Sequence, residues 1–172
     1  LKRLPEQPVR ININDETLAI EISTTSGKSN QAGHNGDEYP ELKALEDNKK
    51  QITMSSDAIL AGITHTLFAT ANDDLRPIMN GILFDIEENQ TTFVATDTHI
   101  MARYIRKDTT SAEKSAFVLG KKPASLLKNV LTPGENVSIE FDGKSAVFNT
   151  EKLQITCRLT EGNYPQYKSV IP

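Results

Sequence analysis

An α+β fold is predicted from three observations. The order strand, helix, strands occurs twice, once from Gln51 and again from Ala116. Three short runs rich in Ile, Val, Phe, Tyr and Thr, at Asn80 to Glu87, Thr91 to Asp97 and Ile100 to Arg106, are separated by turn-type residues and form an antiparallel meander. Between them, Ile59, Leu60, Ile63, Leu67 and Phe68 recur at helical spacing, and Leu126, Leu127 and Val130 do so again. The expected architecture is an internally duplicated unit with helices at 57–70 and 122–131 side by side on one face and antiparallel sheets on the other.

Composition narrows the class. The 172 residues are 37% hydrophobic and 24% charged, and no apolar run approaches the roughly 20 residues of a membrane span. The segment Leu1-Lys2-Arg3-Leu4-Pro5 lacks the apolar centre of a signal peptide. Together with the lone Cys157 in the alternating run Leu153 to Cys157, this places the protein in a reducing, cytoplasmic setting. Cys157 itself reads as a half-buried strand residue. The net charge of −4 and pI near 5.4 argue against a generally basic nucleic-acid binder but leave room for a local basic face.

From the N-terminus, Leu1 to Gln7 reads as the last turn of a helix. Val9 to Ile13 and Thr17 to Ser23 alternate apolar with polar around Asp15-Glu16, a hairpin with one dry face, and Lys28 to Gly33 is a polar third strand. Lys43 to Lys50 is charged and poor in apolar residues, a linker. Gln51 to Ser55 is a strand, and Ser56 or Asp57 caps the helix Ala58 to Thr70. After the meander come a strand at Ala116 to Leu119, a helix with Pro123 in its first turn, and Pro133-Gly134 as its stop. Strands at Val137 to Phe141, Ser145 to Asn149 and Leu153 to Leu159 follow, the first two joined by the hairpin signal Asp142-Gly143.

A longer repeat overlies this one. Leu4-Pro5-Glu6 before Val9 to Ile13 resembles Pro133-Gly134-Glu135 before Val137 to Phe141. Gly36 to Leu42 echoes Gly162 to Tyr167, at a separation of about 125 residues, the mark of tandem domains. On this reading the chain enters midway through one domain and then supplies one whole copy. The exposed strand edges and apolar faces of such a half-unit imply a longer intact protein.

Three motifs in order, Arg76-Pro77-Ile78-Met79-Asn80-Gly81-Ile82-Leu83-Phe84, Val94-Ala95-Thr96-Asp97-Thr98-His99 and Glu161-Gly162-Asn163-Tyr164-Pro165, closely resemble the bacterial replicative sliding clamp family, the beta subunit of DNA polymerase III. The resemblance covers essentially the whole chain. Residues 1–45 are similar to the second half of the first clamp domain, 46–50 to a linker, and 51–172 to the complete middle domain. It implies the DNA-clamp fold and a homodimeric ring of three similar domains per subunit, with helices lining a channel for double-stranded DNA and no cofactor. The implied protein is a non-catalytic, nucleoid-associated processivity factor. It tethers the DNA polymerase III catalytic subunit, the clamp loader and repair polymerases through a peptide-binding pocket.

Two groups of site residues follow. From Lys114 to Gly134 there are four lysines, Lys114, Lys121, Lys122 and Lys128, and no carboxylate. A local positive face of this kind suits loose tracking of phosphates, because such contacts carry no sequence information and weaken with salt. The resemblance implies that Lys121, Lys122 and Lys128 face DNA, together with Lys2 or Arg3 and Arg76. It also implies a pocket built from Met79, Thr96, Thr98, His99, Met101 and Pro172, with Ile100 at its rim, where flexible methionines accept several partners. The family pattern Ala-Thr-Asp-Gly-His-Arg-Leu is broken by Thr98 for Gly, Ile100 for Arg and Met101 for Leu. A β-branched Thr disfavours positive φ, so a different turn geometry is expected.

An alternative class reads Asp97 and His99 as two ligands of a metal, or as a base and its orienting acid, in a hydrolase. No third residue stands at motif spacing. His65 lies within the apolar-spaced helix and reads as a partly exposed surface residue.

Overall fold

A computed structural model describes residues 5–39 and 45–171. The helical end expected at the N-terminus falls mostly on residues outside that range. The chain divides into two compact units, Leu1–Lys43 and Ala44–Pro172.

The first unit is a three-stranded antiparallel sheet of β1 (Arg10–Asn14), β2 (Ala19–Thr24) and β3 (Gly27–Ala32) in the order β1-β2-β3. Its register sets Ile11 opposite Ile22 and Ile13 opposite Ile20, so the predicted apolar face exists. It is not dry, however. Ile11 is 53% and Ile13 62% exposed, because a single sheet with one apolar face needs a second layer to bury it.

The second unit opens with β4 (Lys50–Ser55) and α1 (Ser56–Thr66), then the meander β5 (Gly81–Glu87), β6 (Gln90–Thr96) and β7 (Met101–Arg106). The pattern repeats as β8 (Ser115–Gly120), α2 (Lys121–Val130), β9 (Asn136–Phe141), β10 (Ser145–Asn149) and β11 (Gln154–Arg158). The two halves exchange their first strands. One sheet has the order β11-β10-β9-β4 and the other β7-β6-β5-β8, so each meander is completed by the strand that opens the other half. Ser55 at the end of β4 lies opposite Asn136, and Gly120 at the end of β8 opposite Gly81. The exchange is mirrored in the backbone, where Ser56 N–H donates to Glu135 O at 2.8 Å and Lys121 N–H to Asn80 O at 3.1 Å.

The core fills the space between the sheets and under the helices. Phe84, Phe93 and Phe117 lie in the β7-β6-β5-β8 sheet and Phe148 in the other, with Ile59, Ile63 and Leu127 from the helices. A phenyl ladder joins the layers: Phe84 meets Phe93 and Phe117 at 4.7 Å each, and Phe117 meets Phe141 at 4.7 Å. Such pairs add about 0.5–1.5 kcal/mol beyond the area they bury.

Two expectations need correction. The cap of α1 is Ser55, whose Oγ accepts from Ala58 N–H at 3.2 Å. Ser56 and Asp57 instead accept from the backbone N–H groups of Glu135 and Gly134, clamping the turn between α2 and β9. The helix ends at Thr66 and continues only as a single 3₁₀ turn, Leu67–Ala69. Thr66 Oγ donates back to Gly62 O at 2.7 Å, an arrangement that bends and weakens helices. Phe68 then leaves the apolar stripe and is 72% exposed. The part of the linker at 46–50 is tied to the second unit, since Asp142 accepts from Glu46 N–H at 2.9 Å and Lys49 pairs with Glu140 at 2.7 Å.

Candidate functional site

α2 presents the basic face. Ala124 and Leu127 are fully buried, and Lys122 stands on the opposite side of the helix, with Lys121 and Lys128 on its flank. All three lysines are exposed, and none forms an ion pair among the described residues. Lys128 sits in the last turn, where the helix dipole favours a cation. Lys121 and Lys122 occupy the first turn, where it disfavours one, and the N-cap Gly120 supplies no side-chain acceptor. That end of the helix is therefore electropositive, from its two lysines and from the positive end of the helix dipole. α1 lies against α2, so the two helices form one layer.

Arg76 belongs to a different environment. Its Nε donates to Asp73 Oδ2 at 2.9 Å, and backbone bonding from Leu75, with Arg76 second, holds the Asp73 carboxyl below its usual range. The guanidinium is half exposed and already partnered. Asn80 joins this loop to α2: its side chain bonds both the N–H and the C=O of Asp73, and its carbonyl receives the first N–H of α2. The sequence reading missed this joint, although Asn80 lies inside a motif it singled out. Lys2, Arg3 and Pro172 lie outside the described residues.

The second cluster is the turn between β6 and β7. Thr96 and Met101 close the ladder as a cross-strand pair. Asp97 Oδ1 accepts from His99 N–H at 2.9 Å and Ile100 N–H at 2.8 Å. Thr96 Oγ donates to Ile100 O at 2.7 Å and lies 3.1 Å from the N–H of Thr98. The bonds from Ile100 and then His99 hold the Asp97 carboxyl below its usual range. Asp97 thus serves as the acceptor that shapes the turn, and no feature of its setting supports the hydrolase reading. Thr98 has φ 80°. The β-branched residue takes the left-handed conformation that glycine would adopt freely, despite its preference against positive φ.

The structure gathers Thr96, Thr98, His99, Ile100 and Met101 in this one turn. Ile100 is 47% and Met101 37% exposed, an apolar surface open to solvent. Met79 ends a 3₁₀ turn, Pro77–Met79, just before β5, and is buried at 7% exposure.

The adjoining outer face of this sheet carries a second apolar cluster that sequence reading did not find. Leu83, Val94 and Val118 are covered by Tyr167, with Ile78, Tyr164 and Ile171 at the margin. The segment from Gly162 to Ile171 straps across the sheet. Tyr164 OH donates to Val94 O at 3.3 Å, and Tyr167 OH to Asp85 at 2.6 Å. Lys168 bridges Asp85 at 3.0 Å and Glu87 at 3.2 Å. The signal was present in Gly162-Asn163-Tyr164-Pro165, which was read as part of a repeat and as a family motif but not as a strap. A cleft of about 870 Å³ opens between this strap and β8, lined by Val118, Thr160, Tyr164 and Gln166 among others.

Residues 53–166 match the family described as DNA polymerase III beta subunit, central domain. The chain belongs to the DNA polymerase III beta subunit family. It is 30% identical to the beta sliding clamp of Halalkalibacterium halodurans over 177 residues, covering all of this chain and 46% of that protein. It is 29% identical to that of Staphylococcus aureus, covering all of this chain and 45% of that protein. The crystal structure of the DNA polymerase sliding clamp from Bacillus subtilis superposes with a TM-score of 0.82 at 28% identity, over 99% of this chain and 45% of that one. The chain spans about half the length of the curated relatives it matches. For a member of the beta subunit family, the layering of two helices against two antiparallel four-stranded sheets is the expected DNA-clamp fold.

Proposed function

We propose that the chain is part of a processivity clamp of DNA replication. Residues 1–45 are the second half of the first clamp domain and 51–172 the complete middle domain of a longer protein that assembles as a homodimeric ring in the bacterial cytoplasm. The ring encircles duplex DNA without reading sequence and has no catalytic activity of its own. The observation that carries this reading is the helical layer, where Lys121, Lys122 and Lys128 stand exposed and without an ion pair among the described residues, on a helix with no carboxylate, in a chain of net charge −4. Contacts of that kind position a protein on phosphates and are lost with salt.

On the outer surface, the turn Thr96 to Met101, with Met79 and Pro172, receives short peptide motifs from the polymerase III catalytic subunit, the clamp loader and repair polymerases. An exposed isoleucine and methionine beside a rigid turn suit apolar anchor side chains.

The test is topological. The assembled protein, loaded on nicked circular plasmid, is to be retained through gel filtration in moderate salt and released when the plasmid is linearised. Equal loss from circular and linear DNA would reject encirclement.

A further inference from the structure

β7 carries the hairpin surface away from the turn. Its residues alternate, so Ala102 and Tyr104 face the core while Met101, Arg103 and Ile105 share the opposite face. Tyr104 stacks on His65 of α1 at 4.6 Å, which fixes the helical side of the sheet and turns Arg103 away from it. Across the ladder Arg103 pairs with Val94, and Val94 with Leu83, both in the outer apolar cluster. Arg103 is exposed and forms no ion pair among the described residues. The β5 carboxylates of this face, Asp85 and Glu87, are held by Lys168, and Asp85 also by Tyr167. An uncompensated guanidinium therefore stands about 7 Å along the strand from Met101, over an apolar sheet face.

We propose that Arg103 selects among peptides that dock at the Thr96–Met101 turn, by pairing with a carboxylate placed two residues from the apolar anchor that contacts Met101. The inference rests on the docking reading of that turn. A planar five-donor fork matches a carboxylate in a bidentate pair, which fixes direction as well as adding attraction. The chain is acidic as a whole, so an acidic peptide gains at this one place what it loses elsewhere to repulsion.

The experiment uses two fluorescent peptides with identical apolar anchors, one bearing Glu two residues beyond the anchor and the other Gln. Each is titrated against the unaltered chain, Met101→Ala and Arg103→Ala. Arg103→Ala is expected to weaken the Glu peptide about five- to tenfold, to leave the Gln peptide unchanged and to abolish the salt dependence of their difference. Met101→Ala is expected to weaken both. If Met101→Ala affects neither peptide, the docking reading of the turn fails. If it weakens both while Arg103→Ala treats the two alike, the Arg103 inference alone is overturned. Loss of duplex DNA binding in Arg103→Ala would also overturn it, by assigning the guanidinium to phosphate.

Discussion

Gly62 of α1 lies flat against the ring of Phe93 in β6: a Cβ at position 62 would sit 2.4 Å from two of the ring carbons. The glycine is a point of close approach between the helical layer and the β7-β6-β5-β8 sheet. In an exposed helix Gly→Ala gains about 1 kcal/mol from backbone entropy. Here overpacking against a fully buried ring costs about 1–3 kcal/mol, and the ring is locked between Phe84 and Tyr104. Gly62→Ala is therefore expected to destabilise the second unit by up to about 2 kcal/mol net. A shift of the urea midpoint to higher denaturant would show that the ring yields.

Thr98 holds φ 80° because the bonds to Asp97 and Thr96 on either side determine the turn. The strain of such a residue is of order 1 kcal/mol or more. Thr98→Gly is expected to stabilise the unit by about 1 kcal/mol, less the extra entropy glycine has when unfolded. Thermal melts decide the sign. Asp97→Ala is expected to do the reverse, since it removes the acceptor of two backbone N–H groups.

The strap offers a test by pH. Burial first, and the Asp85 carboxylate second, push Tyr167 up to about 12 from 10.0, and burial pushes Tyr164 to about 12 as well. A raised tyrosine pKa means that the folded state favours the neutral phenol. The stabilisation is fully present below the unfolded value and is lost as pH rises from near 10 through about 12. Absorbance titration at alkaline pH is expected to show two late phenols, of which Tyr167→Phe removes one. If the remaining late phenol then moves to 10.0, the value of an unperturbed tyrosine, the two tyrosines hold the strap as one unit.

Cys157 is the fourth case. Burial pushes its thiol to about 11, so little thiolate exists near neutral pH. Reaction with a disulfide reagent at pH 8 is expected to be slow in the folded chain and fast in urea. Rapid reaction under native conditions would place β11 outside the packed sheet.

The strand and helix order was legible because each element carries its own signal: alternation from Val137 to Phe141, helical spacing from Ile59 to Ile63, and Asp142-Gly143 at the turn between β9 and β10. The exchange of β4 and β8 between the sheets was not legible. It depends on which edges meet in space, and neither Gln51 to Ser55 nor Ala116 to Leu119 encodes a partner. The true cap of α1 was missed because three polar residues, Ser55, Ser56 and Asp57, stand together, and only tertiary contact with Gly134 and Glu135 assigns the last two elsewhere. For the candidate site, the turn residues were found through a motif, whereas Tyr167 and Lys168 were not. Tyr167 covers Leu83 and Val94 and Lys168 pairs with Asp85 and Glu87, all more than 70 positions away.

Lys121 and Lys122 separate folding from binding by the sign of one experiment. Both sit in the first turn of α2, exposed and without an ion pair among the described residues, where a carboxylate would suit the helix dipole and a lysine does not. Replacing both by Glu is expected to add about 0.5 kcal/mol per site to stability at low salt. The same change removes two phosphate contacts, so the slope of log affinity for duplex DNA against log salt is expected to fall by up to about 2. Lysines that merely solvate a helix face would give the first effect without the second. Melting temperature and DNA affinity, measured on the same double variant across a salt series, are therefore expected to move in opposite directions. A drop in both would mean that the lysines support the fold, and unchanged DNA affinity would remove α2 from the proposed channel.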